Sequence, residues 1–467
     1  MSTGPTEPTG PTEPTEPTEP AQPTEPAPAT PDTQAPVSVS ETGCCVVGGG
    51  PAGAMLALLL ARAGISVTLL EEHLDFDRDF RGDTIHPAVM RNLQEIGLDR
   101  RLLELPHTEL RTMTIGAVDG PLVINFGLLK TPYPFITLMP QKRFLEFVTS
   151  EAAYSPSFHL VMGARVEALI TEGNEGEGNE GEGNEGVVRG VRYRGQDGWH
   201  EVRALVTVGC DGRFSRLRRL GGFSADTTSS AMDVLWFRLP RRANDPQNAL
   251  ARVANGRFLV MLDRDDQWQI AAVIAKGSYQ QVRAEGITAL QQFVVEAAPE
   301  LADRVGALTD WKQVALLSVA SDRLRRWYRP GLLLIGDAAH TMSPVGGVGI
   351  NYAIQDAVLT ANTFYEPLSA GRAPALDALA SVQRRRALPT RIIQTIQAQI
   401  QRRLVKQVLV TGEGLHIPVW MRMLLRLPGI RALPPLLIGI GVRPVHVAPE
   451  LRAAHDGVAP VAATAPE

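Results

Sequence analysis

The sequence predicts an α/β fold: a parallel-sheet domain, interrupted by a second sheet-based domain and followed by a helical C-terminal region. Three observations predict it. Gly48-Gly-Gly-Pro-Ala-Gly53 sits between a short apolar strand and an Ala/Leu-rich helix. A later apolar strand, Leu332-Leu-Leu-Ile335, also ends in glycine and precedes a helix-like stretch, 350–364. Between them, the segments 229–240, 257–275 and 311–319 are patterned as strands.

Taken in order, residues 1–40 form a PTEP-type repeat holding eleven of the 35 prolines. With almost no large apolar side chain, it cannot offset the entropy of ordering and is expected to be a disordered acidic tail. Cys44-Cys-Val-Val47 reads as a buried parallel strand, Pro51–Ala63 as a helix closing at Gly64, and Val67–Leu70 as the next strand. Together, 44–71 form one βαβ unit. Arg165–Ile170 and Val187–Tyr193 alternate as strands, so the Glu/Gly/Asn repeat between them, 172–186, reads as an overgrown, disordered hairpin loop. Residues 370–447 read as helical with proline breaks. The domain boundaries follow: 41–113, 139–225 and 318–365 make the first domain, 114–138 and 226–317 the second, and 366–467 the C-terminal helical region and tail.

Composition excludes several classes. The chain has 467 residues, 44% hydrophobic and 21% charged, with a formal net charge of −4. Six acidic groups in 1–40 and six in 172–186 stand unopposed; without them, 46 basic residues face 38 acidic ones, an excess of about eight. That mild balance suits an anionic small ligand and does not argue for nucleic acid. Three cysteines (Cys44, Cys45, Cys210) make no disulfide framework, and no Cys/His spacing suggests a metal site. No apolar run reaches the length of a transmembrane helix, and no secretory leader is visible, so a cytoplasmic location is expected.

The glycine motif carries the first chemistry. Gly48 permits the tight turn, Gly50 lets the backbone approach a pyrophosphate, and Gly53 lets helix and strand pack closely, with Pro51 and Ala52 opening the helix. The helix N-terminus supplies N–H groups and dipole. Glu71 lies 23 residues after Gly48 at the end of the second strand, where a carboxylate binds a ribose diol; Glu72 is the competing choice. These features read as a Rossmann-type dinucleotide site, but do not say which dinucleotide.

Two further motifs decide that. Val206-Thr-Val-Gly-Cys-Asp-Gly212 runs an apolar strand into Asp-Gly, and Gly331-Leu-Leu-Leu-Ile-Gly-Asp-Ala-Ala-His340 ends another strand in Gly-Asp before Pro344-Val-Gly-Gly-Val-Gly-Ile-Asn351. With these three motifs in this order and spacing, the chain resembles the class A flavoprotein monooxygenases, the p-hydroxybenzoate hydroxylase-like group that includes ubiquinone-biosynthesis hydroxylases. The resemblance spans roughly 43–365. It implies FAD as cofactor, NAD(P)H and O₂ as cosubstrates, and hydroxylation or epoxidation of a small aromatic, polyketide-like or quinone-like substrate through a flavin C4a-hydroperoxide. No second G-x-G-x-x-G stands between a strand and a helix, the copies at 176–181 and 181–186 belonging to the Glu/Gly/Asn repeat, which agrees with nicotinamide having no Rossmann site of its own.

The resemblance also implies roles. Gly336 and Asp337 hold the ribityl chain, with a plain N-cap as the competing reading of Asp337. Pro344, Gly346, Gly347, Val348, Gly349 and Asn351 bring backbone close to the flavin ring. Asp211 assists FAD and NAD(P)H, with a turn-forming Asp as the simpler reading. Arg81, in Phe80-Arg-Gly-Asp-Thr-Ile-His-Pro87, and Gln141 match flavin-contacting positions. No catalytic base is named: His86 and His340 read as packing or motif geometry. Met232, Trp236, Phe237, Phe258, Val260, Met261, Trp268 and Ile270 are candidates for an apolar substrate pocket, with core packing as the competing role for each. The cationic, apolar stretch 416–447 reads as a packed helix or dimer face rather than a membrane contact. Flavin halogenases share the fold but carry a Trp-x-Trp-x-Ile-Pro segment and a catalytic Lys; that segment is absent. A lipid or quinone reductase of the same fold, or a non-catalytic FAD-binding regulator, would carry the same three motifs.

Overall fold

A computed structural model describes residues 36–77, 84–173, 186–242, 244–245, 249–254, 256–264, 266–412, 415–427 and 429–453. Most of the PTEP repeat, the centre of the Glu/Gly/Asn repeat and Arg81 lie outside the described residues. The elements that position the site are β1 Ser38–Val47, α1 Pro51–Arg62, β2 Val67–Glu71, β3 Trp199–Gly209, β4 Met232–Pro240, β5 Ala249–Ala254, β6 Arg257–Arg264, β7 Gln267–Ala275, β8 Leu332–Leu334, α2 Gly349–Ser369 and α3 Leu376–Leu404. β1 begins inside the stretch that composition assigns to the tail. It does so because Ser38–Glu41 pair with His200–Arg203 of β3, and Ser38 Oγ lies 2.8 Å from His200 Nδ1.

The first sheet runs β8, β3, β1, β2 and Phe158–Met162, all parallel, with Tyr328–Arg329 added antiparallel at the β8 edge. The hairpin of Arg165–Glu172 and Val187–Arg194 joins it beside β3, antiparallel as its alternation predicts. Cys44–Val47 and the whole of β2 are buried, which explains their unbroken apolar reading: both faces of the sheet are covered. Burial pushes the Cys44 and Cys45 thiols up, Cys45 to about 12, so neither supplies a thiolate.

The second sheet orders Ala315–Leu317, β4, β7, β6, β5, Thr112–Ile115 and Leu122–Asn125. The pattern expected over 229–240 resolves into two strands in different sheets. Ala225–Ser229 pairs with Ala320–Leu324, whereas β4 enters this seven-stranded sheet. Of 311–319, only Ala315–Leu317 is strand, after a 3₁₀ turn at Trp311–Gln313.

Period-two alternation divides the second sheet by face. Leu235, Phe237, Met261, Trp268 and Ile270 point to one side and pack with Leu290 and Val294 of the helix Ile287–Ala297. Met232, Val234, Trp236, Phe258 and Val260 point to the other, into a cavity. Four of the eight pocket candidates, Phe237, Met261, Trp268 and Ile270, are therefore core. Composition could not separate them from the other four because the register of the sheet makes the distinction.

The C-terminal region is helical but does not break where prolines suggest. α3 runs through Pro389, although proline removes a hydrogen bond and crowds the preceding turn at a cost of about 3 kcal/mol. Buried Val382 and Arg386 before it and Thr390 and Ile393 after it anchor both halves to the body. Beyond Pro418 the chain does fragment, into Val419–Leu424, Leu433–Gly439 and Pro449–Ala453.

The face assignment predicts that Phe237→Ala lowers the unfolding free energy by about 3–5 kcal/mol, whereas Phe258→Ala, on the cavity face, costs less than half as much. Urea unfolding of both variants checks this, and equal losses would contradict the assignment.

Candidate cofactor and substrate site

Register brings the three motifs together. Val47 lies opposite Gly209, and Gly209 opposite Leu334, so β1, β3 and β8 end abreast. The turns that follow start side by side at the carboxyl edge of a parallel sheet, where such folds bind ligands. Cys210 N donates to Val47 O at 2.6 Å and Ile335 N to Gly209 O at 3.0 Å, which locks the alignment.

The glycines divide the labour as their spacing predicts. Gly48 has φ +101°, and a Cβ there would lie 2.4 Å from Cys210 O. A Cβ on Gly53 would lie 2.0 Å from Gly48 O, so this glycine is needed for close packing of α1 on the turn. Around Gly50 nothing lies within 4 Å of the position a Cβ would take. Gly50 caps α1 without a side-chain hydrogen bond, so the first-turn N–H groups beside Pro51 and Ala52 face the cavity without a side-chain cap. That open cradle fits a pyrophosphate.

Glu71, the last residue of β2, is buried and lines the cavity. Its Oε2 accepts from Gly49 N at 2.8 Å, and its Oε1 accepts from His73 N at 3.0 Å. Glu72 also reaches the cavity, but more exposed than Glu71 and paired with Arg216 at 3.2 Å. Gln141 begins the helix Gln141–Ala153 at the cavity wall. Asp211 accepts from Ser215 Oγ at 2.6 Å and from Leu217 N at 3.0 Å, so its carboxylate also builds the turn into the helix Arg216–Leu220. Burial pushes its carboxyl above the usual range, against these hydrogen bonds. Asp337 lines the cavity, with Arg213 Nε 3.3 Å from its Oδ2.

The last turn separates lining from support. Pro344, Gly346, Gly347 and Gly349 line the cavity. Gly346 and Gly347 have φ +80° and +62°, conformations that L side chains rarely adopt. Val348 is buried against Met342, Tyr352 and Ile393 instead. Asn351 is also buried: its Oδ1 accepts from His86 N at 2.8 Å and its Nδ2 donates to Gly347 O at 3.3 Å, splicing the turn to Thr84–His86. Gly336, at φ +58°, packs between Ala52 and Ala353 rather than facing the cavity. His86 Nδ1 donates to Ile438 O at 2.7 Å, and burial lowers its pKa to about 4, so it stays neutral as a strut to the C-terminal region.

Sequence reasoning missed the ionic groups behind these turns. Asp356 in α2 accepts from Gly336 N at 3.1 Å and Arg386 Nε at 2.6 Å, and its Oδ2 lies 2.6 Å from His340 Nε2. All three side chains are at most 1% exposed. Burial alone would raise the Asp356 carboxyl, but His340 and Arg386 hold it below the usual range. Arg218 grips Asp322 with two bonds of 2.9 Å and reaches Asp337 O at 2.7 Å and Ala338 O at 2.5 Å. Asp356 and Arg386 carry no local signal, since a helical Asp and an Arg within Arg384-Arg-Arg386 ordinarily face water. The His340 expectation of motif geometry agrees with its place in this cluster.

One continuous cavity of about 1760 Å³ runs from the glycine turn to the second sheet. Its far half is walled by the cavity face of β4, β6 and β7 and roofed by α3 and the segments after it, including Ile396, Leu404, Ile417 and Leu437. The stretch 416–447 thus supplies part of the roof, while Trp420 and Met423 remain exposed. No helix among the described residues is long and apolar enough to cross a membrane.

Known proteins fit this geometry. The model of the FAD binding domain family matches residues 41–395. The chain is 36% identical to 6-methylpretetramide 4-monooxygenase of Streptomyces rimosus, over 69% of this chain and 75% of that protein. It is 25% identical to ubiquinone hydroxylase UbiL of Rhodospirillum rubrum, over 72% of this chain and 75% of that one. In fold it is similar to the anhydrotetracycline hydroxylase OxyS of Streptomyces rimosus, with TM-score 0.66 and 22% identity, over 86% of this chain and 77% of that structure.

The two glycines predict opposite failures. Gly53→Ala places a methyl against Gly48 O and should distort the turn, lowering thermal stability and flavin content together. Gly50→Val has room in the cradle and should keep the thermal midpoint of the flavin-free protein while binding FAD at least tenfold more weakly. Melting curves and flavin absorbance of the two proteins check this; tight FAD binding by the Gly50 variant would contradict the cradle.

The motifs, the cradle they form and these likenesses agree, and the chain belongs to the FAD binding domain family of class A FAD-dependent monooxygenases.

Proposed function

We propose that this oxidoreductase hydroxylates a fused-ring, polyketide-like aromatic compound with NAD(P)H and O₂. One observation carries the reading. The cavity of about 1760 Å³ exceeds the 300–1,000 Å³ usual for a single small-ligand site and continues from the dinucleotide cradle into an apolar chamber. It has room for a cofactor and a large flat substrate at once. The 36% identical relative is named for hydroxylation of 6-methylpretetramide, which supports the substrate class.

FAD, when bound, supplies acceptance of hydride from NAD(P)H and activation of O₂. The chain's own groups do the rest. The first-turn N–H groups of α1 hold the pyrophosphate and Glu71 takes a ribose diol. Asp337 accepts from a ribityl hydroxyl, with the Arg213 guanidinium beside it. Backbone at Pro344–Gly349 meets the ring, and the start of α2 favours negative charge there. Arg81, Gln141 and Asp211 remain assigned to flavin or nicotinamide contacts, as their matching positions suggest. We assign Gly53, Gly336, Val348 and Asn351 to holding the turns in place. Met232, Val234, Phe258 and Val260 press the substrate flat and exclude water. No side chain in the chamber is assigned as a base.

This reading predicts that a three- or four-ring hydroxylated aromatic accelerates NAD(P)H oxidation by the FAD-loaded enzyme at least tenfold and yields a product 16 mass units heavier, while single-ring p-hydroxybenzoate does neither. Stimulation by p-hydroxybenzoate alone would contradict the substrate class.

A further inference from the structure

The chamber wall is not uniformly apolar. On the cavity face of the second sheet, Trp236 in β4 pairs with Ala271, and Gln269 lies two residues further along β7. That diagonal relation sets the two residues about 7–8 Å apart on one face, within reach of a single ligand group. Trp236 Nε1 is buried and has no hydrogen-bond partner. Leaving a buried donor unmade is costly, and a packed apolar wall would avoid it with phenylalanine. Gln269 is 4% exposed; its Oε1 is taken by Arg264 Nε at 2.8 Å, which turns its amide N–H groups away from Arg264. The Gln269 carbonyl oxygen already accepts from a guanidinium, and the amide N–H groups are the part of Gln269 offered to a ligand.

Charge is segregated along the cavity in the same sense. Its carboxylates, Glu71, Glu72, Asp211 and Asp337, all belong to the dinucleotide half, where Arg213 and Arg216 pair with two of them. The far half has none, but contains Arg264, Arg403 and Lys406. Arg403 in the last turn of α3 and Lys406 in the π-helical turn Val405–Val410 that follows pair with no carboxylate among the described residues. A wall that carries cations and no carboxylate favours an electron-rich oxygen.

We propose that Trp236 Nε1 and the Gln269 amide, backed by Arg264, form a specificity site for a substrate oxygen carrying negative charge, an ionised phenol or enol on an otherwise apolar fused-ring skeleton. The inference rests on the reading of the chamber as the substrate site. It adds which substituent is recognised and by which atoms. Ground-state recognition of this kind also anchors the ring in register with the flavin end of the cavity, so that one edge of the substrate is presented for oxygen transfer.

The test uses the FAD-loaded full chain, alizarin (whose hydroxyl ionises near neutral pH) and alizarin dimethyl ether as probes, and perturbation of the bound-flavin spectrum as readout. The wild type should bind alizarin more tightly than the ether, by a margin that grows as pH rises through alizarin's ionisation. W236F and Q269L should each weaken alizarin binding about tenfold or more and change ether binding less than twofold. Unchanged flavin content and melting temperature show that these variants are folded. Equal affinity of the wild type for both probes, binding of neither, or equal loss of both in the variants would overturn the site, while FAD uptake and NAD(P)H oxidation would leave the monooxygenase reading standing. Failure of the wild type to take up FAD would instead count against the reading on which the site rests.

Discussion

The molecule depends on one constraint: the register of three parallel strands. Because Val47, Gly209 and Leu334 stand abreast, three turns from distant parts of the chain open on the same edge. Each turn alone is ordinary. Side by side they make a cradle of backbone N–H groups flanked by carboxylates at Glu71 and Asp337. A one-residue slip of β3 would move Cys210 and Asp211 and reverse every inward side chain of a strand buried on both faces. The apolar cores of Cys44–Val47 and β2 resist such slippage through the area they bury.

Behind the edge, buried ions hold the turns rigid. Asp356 receives the Gly336 N–H while Arg386 neutralises its charge and His340 packs against it, so the third turn is tied to α2 and α3 at once. Truncating one member would leave its partners charged and dry, a far larger loss than replacing the whole set by apolar side chains. This places a rigid support where a ring must be held within fractions of an ångström. Arg218 does the same for the second and third turns, through Asp322 and two backbone carbonyls. α3 therefore has two roles: it anchors the turn through Arg386, and with residues such as Ile396 and Leu404 it roofs the chamber.

Local features of the fold were legible where a local rule governs them. Gly48 and Gly53 meet the turn and packing constraints that their spacing implies, and the backbone at Gly50 stands open. What the sequence hid is what pairing decides. Phe237 and Phe258 are alike in composition, yet strand register sends one to the core and the other to the cavity. Asn351 looks like a ligand residue because it closes a glycine motif, but its polar atoms are spent on the backbone of His86, Thr84 and Gly347. Pro389 reads as a break, and tertiary burial on either side overrides it. Arg386 was invisible because nothing local distinguishes a buried arginine from its exposed neighbours Arg384 and Arg385.

The central claim is that one cavity aligns a dinucleotide with a sheet-walled substrate chamber. A crystal structure of the FAD-loaded enzyme tests it most directly. The account predicts the pyrophosphate over the first turn of α1, Glu71 on the ribose, and the flavin ring between Pro344–Gly349 and the wall carrying Met232 and Trp236. A flavin ring held outside the cavity, or separated from that wall by the body of the protein, would contradict it.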